Sequence, residues 1–221
     1  MPFTMTHLII AKNISENLAK PIENLPQFYL GSIAPDAVHN RANYTSDYKK
    51  DSHLCVGPEK WGMVTNNDEW ENSIISFLNK HKNSENRDFV LGYCSHILAD
   101  LCNNITKWIP FKAKYPGEWD KGYGSLYHQE ANKVDIELAL TYERADVFWS
   151  NLAKSCGVDL PEIVYASEIE QQKDNILNLW YKDKCRQDIS LNKVVTYENE
   201  MEFIKNASEF VMLDFQKCLN G

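Results

Sequence analysis

The sequence predicts an all-α protein, a single-domain helical bundle over residues 1–221 with a long metal-ligand-bearing loop between its first and second long helices. Three observations carry this expectation. Near the start, His7, Ala11, Ile14 and Leu18 recur at helical spacing. Residues 87–104 are apolar almost all round, through Phe89, Val90, Leu91, Tyr93, Ile97, Leu98 and Leu101, which marks a buried central helix. Residues 68–82 open with acidic side chains and close with lysines, the order that the helix dipole favours.

Taken in chain order, the first helix turns a stripe carrying His7 inward and stops before Pro21, whose ring cannot continue it. From Pro21 to about Asp68 the chain is rich in Pro, Gly, Asn and Tyr and has no long period, so it reads as a functional loop or as disorder. The two helices just described follow. Residues 108–124 hold Pro110, Pro116, three glycines and two tryptophans, and read as a long loop of the kind that forms lids or rims. A helix is expected over 126–142, with Tyr127, Ala131, Val134 and Leu138 on one stripe and His128, Asn132 and Asp135 on the next. Another is expected over 145–156, ended by Gly157. Asp159-Leu160-Pro161-Glu162 reads as a capping box that starts a helix running to Tyr181, and a last helix covers 197–219.

Composition narrows the function. A chain of 221 residues with 43% apolar content can bury one sizeable core. Its 23 basic and 31 acidic residues give a net charge of -8, which disfavours a broad grip on nucleic-acid phosphates without excluding a local one. The first residues show no secretory signal, and no run approaches the roughly 20 apolar residues of a membrane span. Six dispersed cysteines with no Cys-x-x-Cys read as reduced thiols, so a cytoplasmic location is expected; a secreted form would need a leader outside this sequence. Nothing in the residues sets an oligomeric state.

The chemistry lies in the histidines. His81 sits between two lysines, while the other five occur in Thr6-His7, Pro35-Asp36-Ala37-Val38-His39, Asp51-Ser52-His53, His96-Ile97-Leu98-Ala99-Asp100 and Tyr127-His128. Imidazole and carboxylate are the ligands of hydrolytic zinc, gathered from scattered positions when helices converge. His96 and Asp100 share one face of an apolar helix, where a buried pair must either coordinate metal or hydrogen-bond to each other. Asp36 follows Gly31-Ser32-Ile33-Ala34-Pro35, a turn that can aim a carboxylate rigidly; taken alone, such a residue is more often a turn or N-cap aspartate. His39 and His53 are informative only together with the rest.

Together, Thr6-His7-Leu8, Phe28 to Asp36, Ser52-His53-Leu54, Phe89 to Asp100 and Tyr127 to Asp135 resemble the zinc-dependent phospholipase C family, related to the P1/S1-type nucleases. The order and rough spacing cover residues 3 to 140, and Gly92-Tyr93-x-x-His96-x-x-x-Asp100 is the most specific element. The resemblance implies an all-α bundle with up to three zinc ions at the bottom of a cleft. It implies that Asp36, His53, His96 and Asp100 hold one ion and that His7 and Asp100 hold a second. Asp36 is also the candidate catalytic base, orienting a zinc-activated hydroxide.

The third zinc is not expected. No histidine follows Asp100 closely, and the residue four after His128 is Asn132, not Glu. Asp135 lies a further turn along, and Glu130 faces the wrong way. His128 is then left to complete the two-ion site or to orient substrate. The secreted relatives use an N-terminal tryptophan as a ligand, whereas this chain begins Met-Pro-Phe, so the ion on His7 would need His39 or water. The aromatic positions of choline-selective relatives hold Ala37 and Lys50 here, so a choline pocket is not expected. Lys49, Lys50, Trp108 and Trp119 are candidates to line the cleft.

The expected activity is phosphodiester hydrolysis with zinc, on a small phosphodiester or a phospholipid. The alternatives are a non-catalytic metal-binding helical domain, a nuclease or nucleotidase, and an HD-type phosphohydrolase. The last of these normally shows an adjacent His-Asp pair, and none occurs here.

Overall fold

The computed structural model describes residues 3–219, and the described residues are all-α, with no strand and one isolated bridge between Leu160 and Val164. Ten α-helices follow in order: α1 Thr4–Asn17, α2 Leu25–Gly31, α3 Ser46–Ser52, α4 Asn67–His81, α5 Arg87–Asn103, α6 Ile109–Lys114, α7 Leu126–Thr141, α8 Ala145–Lys154, α9 Ala166–Asn175 and α10 Tyr197–Leu219. The expectation attached to Met1 and Pro2 lies outside the described residues.

Helix α5 is the axis. Every residue from Asp88 to Asn103 is buried, as its all-round apolar pattern requires. Helices α1, α2, α4 and α10 pack around it. The approach of α2 to α5 is close because glycines face each other. A Cβ on Gly31 would stand 2.1 Å from the Phe89 carbonyl oxygen, and one on Gly92 would stand 2.0 Å from that of Phe28. Glycine is the only residue without the clashing atom. This contact carries Ser32 and the turn holding Asp36 up against the face of α5 that bears His96.

Helix α1 has no capping side chain of its own at Phe3. Asp135 on α7 supplies the cap from across the bundle, its Oδ1 accepting the Met5 N–H at 2.7 Å. Glu200 on α10 accepts the Thr6 hydroxyl at 2.8 Å. Asp135 satisfies an orphan backbone donor, and Glu200 ties a side chain of the first turn to α10, at the start of the helix that carries His7.

Three expectations are corrected. The segment after Pro21 is neither a continuous loop nor disordered: it holds α2, a 3-10 turn over Ala34–Asn40, and α3. Pieces of seven residues are too short to show a period over the 11–18-residue window, and tertiary packing rather than propensity stabilises them. The expected loop over 108–124 is also largely helical. Helix α5 runs through a π-helical turn, Asn104–Trp108, into α6, and a 3-10 turn covers Trp119–Gly124. Pro110 sits in the first turn of α6, directly after the π-helical turn. Finally, Pro161 does not begin a helix. Leu160 to Ile163 form a turn, with Glu162 in the left-handed region (φ 68°) and the Ile163 N–H donating to Leu160. The helix starts at Ala166, where Asp159 accepts the Ala166 N–H at 2.7 Å and Glu168 accepts that of Tyr165 at 3.0 Å.

All six cysteines are free thiols. No helix among the described residues is long and apolar enough to cross a membrane.

Candidate metal centre

The structure brings five of the sequence-selected residues together. His7 comes from α1, Asp36 from the 3-10 turn after α2, His53 from the C-terminus of α3, and His96 and Asp100 from one face of α5. Asp100 lies between histidines: its Oδ1 is 3.6 Å from His7 Nε2, and its Oδ2 is 3.2 Å from His53 Nε2 and 3.9 Å from His96 Nε2. Asp36 Oδ1 stands 3.5 Å from His53 Nε2 and 3.9 Å from His96 Nε2. Two triads with potential ligand atoms mutually within 4.8 Å result, His7–His96–Asp100 and Asp36–His53–His96.

Backbone carbonyls fix two of the rings. His96 Nδ1 lies 2.8 Å from the Ser32 carbonyl and His53 Nδ1 lies 2.8 Å from that of Lys49. A carbonyl only accepts, so each Nδ1 carries the proton and each Nε2 presents its lone pair to the centre, as a metal-ligating histidine requires. The elements holding these carbonyls are themselves anchored. The Trp70 indole donates to the His53 carbonyl at 2.7 Å, and the Tyr93 hydroxyl donates to that of Ser52. Immediately after His53 the chain turns in the left-handed region at Leu54 (φ 55°), a conformation non-glycine residues rarely adopt.

Both nitrogens of His7, Nε2 of His53 and His96, and both carboxylate oxygens of Asp100 are buried without a hydrogen-bond partner. Buried polar atoms are normally paired, and leaving several orphaned around one carboxylate is costly. A divalent cation satisfies them together, and a set of imidazoles and carboxylates is the donor chemistry of zinc. The residues present therefore fit the ion.

Electrostatics prepare the same set. Burial would raise the Asp36 carboxyl, but Lys49, His53 and His96 outweigh it and hold it well below the usual range. Asp100 is likewise held low against its burial by its histidine neighbours. Burial and the nearby His7 depress His96 to about 3, so its ring is neutral at physiological pH. His53 goes the other way: burial opposes its charged form, but the adjacent Asp100 and Asp36 raise it. Lys49 lies against Asp36 with its Nζ 2.7 Å from Oδ1, and although burial opposes it, Asp36 and Asp100 lift its pKa.

The centre opens onto a cavity of about 900 Å³, floored by Asp36 and Lys49 and walled by aromatic side chains including Trp61, Trp108, Trp119 and Trp180. His39, His128, Asn132 and Asp135 line this cavity but join neither triad. His39 packs edge-on to Tyr44 at 4.8 Å and is depressed to about 4, by burial first and Lys49 second. The Nδ1 of His128 is 2.8 Å from the Ser125 hydroxyl, and its ring sits among Trp108, Tyr123 and Tyr127. Asp135 caps α1 and accepts the Tyr181 hydroxyl at 2.6 Å. Lys50 bonds to the Gly57 carbonyl and is not part of the cavity wall.

Sequence reasoning missed Trp61 and the two orienting carbonyls. Trp61 packs on His53 with ring centroids 4.4 Å apart, but it lies in an irregular stretch with no period to reveal it. A carbonyl leaves no mark in sequence.

An all-α bundle whose central helix and preceding turns gather buried imidazoles and carboxylates beneath a cavity defines a helical protein with a candidate metal centre. Residues 6–102 match the family described as zinc dependent phospholipase C, a segment that contains all five clustered residues. No curated protein and no solved structure matches it.

Proposed function

We propose that this chain is a two-zinc phosphodiester hydrolase of phospholipase C type. The observation that carries the reading is the stacking of His7 on His96, with ring centroids 3.6 Å apart and planes 7° from parallel. An imidazole lone pair lies in its ring plane, so rings stacked this way do not converge on one ion. Each suits its own. Asp36, His53, His96 and Asp100 would hold one ion, and His7 and Asp100 a second, the two supplying the chemistry of a two-metal hydrolytic site.

Zinc, when bound, supplies Lewis acidity toward a phosphoryl oxygen and acidifies water to a pKa of about 7. The chain's own residues do the rest. Asp36 is the member of the set that reaches the cavity, its side chain 24% exposed against 0–2% for His7, His53, His96 and Asp100. Kept ionised by Lys49, its carboxylate is placed to orient the attacking water as the candidate base. The carbonyls of Ser32 and Lys49 keep both imidazoles in one tautomer and one orientation. Burial of the remaining ligands excludes competing water. The aromatic walls and the size of the cavity suit the apolar part of a small phosphodiester or a phospholipid.

The test is metal analysis of protein purified without added metal, alongside turnover of bis-p-nitrophenyl phosphate with and without chelator. About two zinc ions per chain and chelator-sensitive turnover are expected. A panel of phospholipid micelles, single-stranded nucleic acid and nucleotides then identifies the substrate class. Zinc bound without turnover of any substrate would replace this reading with a second one, a non-catalytic metal-binding domain. That alternative draws on Asn132, which stands four residues after His128 where a third ion would want a carboxylate.

A further inference from the structure

We infer that Lys49 is a substrate-contacting residue that binds the phosphoryl group and biases the cavity toward phosphodiesters with an uncharged or anionic alcohol group, and against a quaternary ammonium one. The inference rests on the phosphodiesterase reading above and adds the charge of the substrate to it.

Lys49 is a buried lysine on α3, 7% exposed, at the floor of the cavity beside the candidate centre. An ammonium carries three donors. One is used on Asp36 at 2.7 Å, and among the described residues that is its only hydrogen-bond partner. Nζ also stands 5.1 Å from the centroid of the Trp61 ring. That ring in turn packs on His53, which places the ammonium directly beside the imidazole proposed to hold zinc. A desolvated cation there, with donors to spare and open cavity on one side, meets the needs of a non-bridging phosphoryl oxygen. Its attraction is stronger than at a water-exposed site because the surroundings are poorly polarisable.

The same position works against a cationic substrate. Aromatic faces bind quaternary ammonium groups by cation–π attraction, and this cavity is rich in them. Lys49 already stands over the Trp61 ring, and a second cation beside it would be repelled. An uncharged or anionic alcohol group meets no such penalty.

The experiment uses the zinc-loaded full chain and two variants, Lys49→Met, which keeps length without charge, and Lys49→Arg, which keeps charge. Zinc content and melting temperature are measured first, to establish that each variant is folded and loaded. Binding of inorganic phosphate is then measured by calorimetry. Loss of a charge-assisted hydrogen bond should weaken it about tenfold or more in K49M, while K49R stays within a few-fold of wild type. Initial rates on phosphatidylglycerol and phosphatidylcholine in the same detergent micelles give the second readout. Wild type should favour phosphatidylglycerol, and K49M should shift the ratio of the two rates toward phosphatidylcholine by about tenfold. A purely structural lysine would lower both rates and leave their ratio alone.

Equal phosphate affinity in wild type and K49M, or a rate ratio unmoved in a zinc-loaded K49M, overturns the role given to Lys49 while the hydrolase reading stands. If wild type turns over neither lipid nor bis-p-nitrophenyl phosphate, the hydrolase reading fails, and the phosphate titration alone decides Lys49.

Discussion

The cavity has two unlike walls. Behind one, where Asp36 is the candidate ligand that reaches the opening, α1, α3 and α5 carry imidazole nitrogens and carboxylate oxygens with no hydrogen-bond partner. The other, from α7 and the chain around it, carries the same residue types with their needs met: His128 bonds to Ser125, and Asp135 accepts from Met5 and Tyr181. Both walls hold histidine and aspartate in buried or half-buried settings, so residue type does not separate them. Unmet hydrogen-bonding capacity does. A buried orphaned lone pair is a demand for a cation, whereas a satisfied one is architecture.

That contrast can be broken most directly by exchanging one aspartate on each wall. Asp100→Asn removes the negative charge between all three clustered histidines. Zinc content should fall sharply and turnover of a generic phosphodiester should drop by at least about 100-fold, the upper range for losing even an outer partner of a metal ligand. Asp135→Asn should leave zinc content unchanged and act on stability through the start of α1. Metal analysis of the two purified variants decides the matter, and loss of zinc in both would erase the distinction between the walls.

A smaller effect sharpens the geometric side. Gly92→Ala leaves every candidate ligand in place but pushes a methyl group to 2.0 Å from the Phe28 carbonyl oxygen, so α2 must retreat from α5. Denaturant unfolding should show a loss of about 1–3 kcal/mol, typical of overpacking. Zinc affinity should fall with it, because the Ser32 carbonyl that orients His96 moves away with α2. Unchanged zinc affinity in a destabilised G92A would show that the α2–α5 contact supports the fold without positioning the centre.

A further effect concerns acid. Burial depresses His128 to about 3, so the folded protein resists protonating it while the unfolded chain takes up the proton near pH 6.5. The group's contribution is therefore fully present above 6.5 and is lost as pH falls from there toward 3, at up to about 1.4 kcal/mol per pH unit. His39, depressed to about 4, acts in the same direction over a narrower window. Metal-free His128→Gln should lose less stability than metal-free wild type between pH 6.5 and 3, read as flatter melting temperatures against pH. Identical slopes would mean that His128 is freely protonated in the folded state.

Much of this was legible beforehand, for identifiable reasons. Helix α5 announced itself because seventeen residues sample every direction around an axis, and only full burial accepts an apolar side chain in all of them. The pairing of His96 with Asp100 followed from helical spacing alone. The short helices between Pro21 and Asp68 did not, because seven residues make barely two turns and carry no period. The start of α9 was misplaced because Pro161 and Glu162 spell a helix start and a reverse turn equally well.

The sequence by itself determined the all-helical class, the central helix and the set of side chains able to bind a cation, since these depend on periodicity and residue chemistry, which are local. Only the tertiary structure decided which of those side chains meet. His7, Asp36, His53, His96 and Asp100 share a space because two glycines let α2 lie against α5 and because Asp135 and Glu200 pin the start of α1. His39, His128 and Asn132 were equally eligible by type. Each instead lines the cavity, at a place that is not encoded at the residue itself.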